Sequence, residues 1–392
     1  MNKKILINNV VPFGLFFFLS LIIGLFSISH LGAFPVISDF LDYDTIALSL
    51  IKNHTYLAIS SDALIYPPGY PIFLSILYIT FKHSYTVIYV CQFILTGIIG
   101  FIYYKISTVY LKMRKDVSLI VGLTVVGWPY MILYSQLLSS EIVFILFISL
   151  FLISFLKEMS ELERKINIMP GFFLGLATLT RPVALLLPFW IIIFLYISNK
   201  LSVWKFTKTQ LRKILVTSII FIATISPWIL YVYIKYDRFI PVASNLSFVF
   251  NKGNSSFEYL QTPGEPKVIE TKETPDQLKN FVKAKVQNIF LFWNPGASGY
   301  HVDALIHKYP KIIFFVWSYK IIFIIFILTG LSAFCWFKTN KIVAMFFAVV
   351  FYFWAVHVVL FPFPRYTLPV IPIVITLAFF SIENIFKLKK NE

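Results

Sequence analysis

Apolar runs separated by short basic loops set the pattern of this chain. The first run, Val11 to Ala33, follows Lys3 and Lys4. It is long enough to cross a bilayer core, which needs about 20 apolar residues. It has no clean small-residue cleavage site, so it reads as an anchor. Further spans are predicted over Tyr85 to about Tyr104, Val117 to Leu138, Ile142 to Leu156, Ile214 to about Ile234, Ile312 to Phe334 and Ile342 to about Phe361. A final span follows Arg365 and ends at Lys387, Lys389 and Lys390. Between Lys165 and Lys200 both flanks are basic, so the chain must cross an even number of times there. Two short crossings with Arg181 at their turn satisfy that requirement.

Two stretches are periodic without being long enough to span. From Asp39 to Lys52, Phe40, Tyr43, Ile46, Ala47, Leu50 and Ile51 recur at helical spacing. They predict an amphipathic helix along the outer surface, with Asp39 and Tyr43 one turn apart on one face. After the turn Tyr66-Pro-Pro-Gly-Tyr-Pro71, the run Ile72 to Phe81 predicts a second surface or re-entrant helix starting near Pro71. The fold expected is an all-α polytopic membrane protein of about ten transmembrane helices. Amphipathic surface helices occupy its first outer loop, and a small outer-face segment lies between spans 7 and 8. The chain divides into residues 1–234, an extracytoplasmic segment 235–311 and C-terminal helices 312–392. The middle segment carries turn-rich pieces at 251–256 and 262–266 and an amphipathic helix near Pro275 to Phe292.

Composition agrees: 58% of the 392 residues are hydrophobic and 19% aromatic, beyond what a soluble domain carries. The net charge of +16 comes from Lys and Arg in the short loops. That placement follows the positive-inside rule rather than marking a nucleic-acid surface, and puts both termini in the cytoplasm. Cys91 and Cys335 fall in apolar runs and give no disulfide framework. The six histidines have no zinc-type spacing, so a divalent metal is possible but not indicated. Asn53-His-Thr and Asn254-Ser-Ser fit glycosylation acceptors, a reading discounted for want of any sign of a eukaryotic source.

This topology brings charged residues from separate loops to the outer face: Asp39, Asp42, Asp44, Glu141, Arg181, Arg238 and Arg365, beside the Tyr66 to Gly69 turn. Carboxylates and arginines at a membrane edge are costly and mark a functional site. They suit group transfer from a lipid-linked phosphate. A carboxylate takes the proton of an attacking hydroxyl, and arginines neutralise the departing phosphate. The competing readings are a transporter or flippase of lipid-linked sugars, which would place its charges near the midplane, and a structural lipid-binding protein.

The sequence resembles the integral-membrane glycosyltransferases of the GT-C superfamily, near the bacterial protein O-mannosyltransferase and aminoarabinose transferase branch. The resemblance is carried by Asp39, Tyr43 and Ala47 as Asp-x-x-x-Tyr-x-x-x-Ala, by Tyr66 to Pro71 with Pro68, Gly69 and Tyr70, and by Glu141 as the acid at the second outer loop. It continues in Gly175 to Pro182 with Arg181, in Pro227-Trp228 followed by Phe239 to Asn245, and in Arg365-Tyr366 before Pro369. It implies an inverting transferase of the inner (plasma) membrane, with its active site on the extracytoplasmic face. The donor would be a polyprenyl-phosphate sugar and the acceptor a lipid, glycan or protein, with Asp39 as general base and Glu141 as its catalytic partner. Tyr43, Tyr66, Pro68, Gly69, Tyr70, Arg181, Arg238, Asn245, Arg365 and Tyr366 would bind substrate. Two departures, Tyr231-Val232 where many relatives have Arg-Asn and Tyr66 where the aminoarabinose branch has Lys, redistribute the phosphate contacts. Asp42 and Asp44 have no counterpart and are expected to be solvated or capping.

Overall fold

The computed structural model describes residues 3–32, 34, 36, 39–59, 62–160, 166–200, 203, 207–246, 249–250, 277–294 and 312–391. The turn-rich pieces at 251–256 and 262–266, with Asn254, lie outside them. Among the described residues every regular element is helical. In chain order they are α1 (Lys3–Leu31), α2 (Asp39–Asn53), α3 (Gly69–Phe81), α4 (Tyr85–Lys105), α5 (Lys115–Val126), α6 (Pro129–Ser135) and α7 (Glu141–Ser160). Then come α8 (Met169–Thr180), α9 (Leu187–Lys200), α10 (Lys208–Tyr236), α11 (Gln277–Leu291), α12 (Ile312–Ser332), α13 (Lys341–Val359) and α14 (Ile371–Asn391).

Eight helical spans are long and apolar enough to cross a membrane. A ninth forms if α5 and α6 are taken together across their 47° bend. The expected tenth crossing is α8, an apolar helix of only 12 residues. The span expected to run unbroken from Val117 to Leu138 is interrupted at Gly127 and Trp128. Pro129 cannot donate to the preceding turn and instead starts α6. The helix after the proline turn begins at Gly69, two residues before Pro71.

The packing order explains which helices carry the site. Helix α4 lies against α1, α5 and α7; α7 packs on α8, and α8 on α10. Helix α14 packs on α12 and α5. The spans starting at Glu141 and Arg365 are 72% and 78% buried, whereas those of α1, α10 and α12 are 22% buried and turn apolar side chains outward. Two central pillars therefore both begin at the same end of the bundle. Helices α1, α8, α10 and α13 end there. The opposite end collects Lys105, Lys115, Lys157, Lys200, Lys208, Lys338 and Lys341.

Close approach of α8 to α10 depends on missing side chains. A Cβ on Gly171 would stand 2.3 Å from the Thr217 carbonyl oxygen, and one on Gly175 2.5 Å from Thr224 Cβ. This small-xxx-small spacing lets two backbones meet within a membrane. Gly171→Leu should cost at least about 1–3 kcal/mol by overpacking, read as a lower thermal midpoint in detergent. Gly14, which has open space around it, should accept Leu without loss.

Candidate active site

Helix α2, the amphipathic helix expected over this stretch, packs on α3 and buries Phe40, Asp42, Asp44, Ile46, Ala47 and Ser49. Asp39 opens the helix and Tyr43 follows one turn later, so both face a cavity of about 260 Å³. The Tyr43 ring is held edge-on between Tyr66 (5.2 Å between centroids) and Tyr70 (5.1 Å). Burial, with Asp39 adding to it, pushes the Tyr43 phenol well above its ordinary pKa, so it remains a neutral hydroxyl hydrogen-bonded to Ser140.

The wall opposite comes from two helix starts and one helix end. Ser139, Ser140 and Glu141 form the tight entry into α7. Thr180 ends α8, and Arg181 follows in an extended conformation before Pro182. Arg181 Nη1 lies 2.7 Å from Glu141 Oε1 and donates to Ser140 Oγ at 3.2 Å. Burial pushes the Arg181 guanidinium down, but the Glu141 carboxylate and Tyr366 more than offset this and hold it above its ordinary value. Arg365 sits in the 3₁₀ turn Pro364–Val370. Its Nη2 is 3.8 Å from Asp39 Oδ2 and its Nε 4.0 Å from Glu141 Oε1. That Nε is buried without a hydrogen-bond partner. Both guanidiniums stand over the Tyr366 ring, at 5.3 Å for Arg181 and 5.4 Å for Arg365, and His357 stacks on that ring at 4.7 Å.

Asn245 reaches the cavity because the preceding segment is pinned. Trp228 Nε1 donates to the Val242 carbonyl at 2.9 Å, and the Ser244 amide donates to the Leu64 carbonyl at 2.9 Å. Of the residues expected to bind substrate, the cavity gathers Tyr43, Tyr66, Arg181, Asn245, Arg365 and Tyr366, together with Asp39 and Glu141.

Four others lie elsewhere. Arg238 pairs at 3.0 Å with Asp62, and both side chains are about half exposed. Tyr70 is fully buried and donates to Gln92. Pro68 caps α3, its carbonyl accepting from the Ile72 amide. Gly69 lets α3 meet the end of α8, since a Cβ there would lie 2.7 Å from Thr180 Oγ1. These three build the floor beneath the cavity rather than line it.

The expectation that Asp42 and Asp44 are solvated is corrected. Asp42 is 1% exposed and accepts from the Tyr66 hydroxyl at 2.8 Å. Asp44 is 5% exposed and is held by Tyr78, Tyr85 and His83. Sequence reasoning missed several cavity residues. Ser139 and Ser140 read only as a hairpin tip. Phe361 and Phe363 precede the Arg365 motif, and their aromatic spacing was the available signal.

The sequence pattern of the dolichyl-phosphate-mannose-protein mannosyltransferase family matches residues 66–231, which holds Tyr66, Glu141 and Arg181. The structure is similar to that of ArnT from Cupriavidus metallidurans bound to undecaprenyl phosphate, with a TM-score of 0.60 and 13% identity over 97% of this chain and 60% of that one. The same protein in the apo state gives 0.58 and 14%, over 94% and 59%. The chain has the GT-C fold. It is also similar to the apo Archaeoglobus fulgidus oligosaccharyltransferase, at a TM-score of 0.58 and 13% identity over 97% of this chain and 51% of that one. The chain thus spans 60% or less of the length of each of these structures. No curated protein matches the sequence.

The Glu141–Arg181 pair should behave as a unit. Arg181→Met leaves Glu141 buried and uncompensated, and should cost about 3–5 kcal/mol. Adding Glu141→Gln should restore part of that loss in thermal unfolding of the double variant.

Proposed function

We propose that the protein is a membrane glycosyltransferase that moves a sugar from a polyprenyl-phosphate donor to an acceptor hydroxyl on the extracytoplasmic face, with inversion. One observation carries this reading: a half-exposed carboxylate, Asp39, shares one cavity with a guanidinium, Arg365, whose Nε has no hydrogen-bond partner. A donor phosphate entering beside Arg365 takes over the long 3.8 Å contact and releases Asp39. Asp39 then removes the proton of the acceptor hydroxyl as its oxygen attacks the anomeric carbon. The carbon–oxygen bond to phosphate breaks and its electron pair leaves on the phosphate, which is already anionic. Cationic stabilisation by Arg365 therefore replaces protonation of the leaving group.

Glu141 has a different task from the one first given it. Its side chain is 5% exposed and committed to Arg181 at 2.7 Å, so it fixes the two arginines rather than exchanging protons with substrate. The charges stand at the ends of helices, which favours surface chemistry over a carrier that loads at the midplane. The lysines at the opposite end support a cytoplasmic placement for that end and an outer one for the cavity.

Asp39→Asn should lower transfer at least ~10²-fold through loss of the general base, with donor binding largely kept. The measurement is sugar transfer from polyprenyl-phosphate donors in purified membranes. Wild-type rates in this variant would overturn the assignment. For orientation, cysteines replacing Asn53, near the cavity end, and Lys338, at the opposite end, can be placed in a chain lacking Cys91 and Cys335. An impermeant thiol reagent on intact cells should label the Asn53 site, and the Lys338 site only after lysis. The reverse pattern would put the cavity in the cytoplasm.

A further inference from the structure

The buried aspartate on α2 takes no part in the transfer chemistry as described, yet it is tied to the residue that does. Asp42 is 1% exposed and Tyr66 8% exposed. The Tyr66 oxygen lies 2.8 Å from Asp42 Oδ2 and 3.4 Å from Asp39 Oδ1. A phenol has one hydrogen. At these distances the hydrogen belongs to the shorter contact, so Tyr66 donates to Asp42. Its oxygen lone pairs then face Asp39 Oδ1. An anionic Asp39 meets an acceptor there and gains nothing from the contact. An Asp39 that has just received a proton on Oδ1 can donate that hydrogen to Tyr66.

We infer that Asp42, acting through the Tyr66 hydroxyl, is a positioning residue that holds the Tyr66 oxygen ready to accept from Asp39 once Asp39 has taken the acceptor's proton. The inference rests on the transferase reading above. In the step, the acceptor O–H proton moves to Asp39 Oδ1 and the freed electron pair forms the new bond to the anomeric carbon. The old bond to phosphate breaks with its pair going to phosphate. Asp39 O–H then donates to the Tyr66 oxygen, which keeps its own hydrogen and goes on donating it to Asp42. The other groups facing Asp39 are Arg365, 3.8 Å from Oδ2 on the far side, and Tyr43 on its own helix face. Neither competes for Oδ1 with Tyr66. The carboxylate is therefore split between a cation on one oxygen and a hydroxyl oriented by a second carboxylate on the other. Asp42 also lies in the first turn of α2, where the amide dipoles favour a negative side chain.

The test compares Asp42→Asn, Tyr66→Phe and the double variant with the wild-type full-length protein in membranes. The probe is a panel of synthetic undecaprenyl-phosphate hexoses and pentoses, and the readout is release of undecaprenyl phosphate. Each single variant should lose about tenfold in kcat, the size of one hydrogen bond to a charged group. Donor KM should stay within about twofold, and the double variant should be no slower than the worse single one. A purely structural lock would instead raise KM or give additive losses, and either result overturns the inference. Wild-type kcat in Asp42→Asn overturns it as well. If Asp42→Asn does not fold, Tyr66→Phe decides by the same two parameters. Absence of release by the wild type with every donor in the panel overturns the transferase reading and this inference with it, whereas release by the wild type with unaltered variants overturns the inference alone.

Discussion

The buried pair Glu141–Arg181 is the constraint on which the cavity depends. An arginine at the junction of α8 and α9 is desolvated by α7 and by Tyr366, and without an anion at 2.7 Å it could not stay there. Glu141 is in the same position, since it is 4% exposed at the head of one of the two most buried spans. Removing either partner leaves a largely buried charge without its short-range counter-ion. Their attraction sets the relative height of α7 and α8. It thereby fixes Ser140, which touches both Arg181 and Tyr43, and through Tyr43 the first turn of α2. Arg365 then inherits a position between two carboxylates, Asp39 at 3.8 Å and Glu141 at 4.0 Å.

Most of the architecture was legible in the sequence because membrane spans are written in long apolar runs with basic ends. The short pair of helices around Arg181 followed from parity, since both flanks are basic, although α8, with 12 residues, is shorter than a span. The bend in α5–α6 was less visible. The apolar run continues through Gly127-Trp128-Pro129, so hydropathy joined what the backbone separates. The candidate site was legible where a motif places a side chain directly, as with Asp39, Tyr43, Arg181 and Arg365. It was illegible where burial comes from distant partners. Asp42 and Asp44 looked solvated or capping because no motif claims them. The hydroxyls that bury them, Tyr66, Tyr78 and Tyr85, lie 24 to 41 residues further along. Arg238 shows the converse, for it shares the cavity's end of the bundle yet turns to solvent and Asp62.

The proline turn has a structural task that its motif does not announce. Gly69 and Tyr70 hold α3 against α8 and α4, and Gln92 closes that contact by donating to the Ser135 and Leu137 carbonyls near the entry of α7. Helix α3 is thereby braced against the same loop that carries Glu141. The turn positions one side chain, Tyr66, toward the cavity and spends its other residues on the scaffold beneath. A motif can thus be a site motif through one residue and a packing motif through its neighbours.

The two arginines differ in what they are free to do, and the difference follows from solvent. Arg181 is bound at short range to a buried carboxylate, and displacing that carboxylate would strand it. Arg365 makes only long contacts, at 3.8 Å and 4.0 Å, and its Asp39 partner is 47% exposed. Exposed ion pairs contribute about 0–1 kcal/mol, so an anion can replace Asp39 at small cost. An anion placed on Arg181 would have to compete with Glu141 in a low-dielectric site. On the proposed reading Arg181 holds the wall while Arg365 exchanges partners. On the same reading Asp39, released by that exchange, is the half-exposed carboxylate left beside the Tyr66 oxygen, which can accept from it once it has taken a proton.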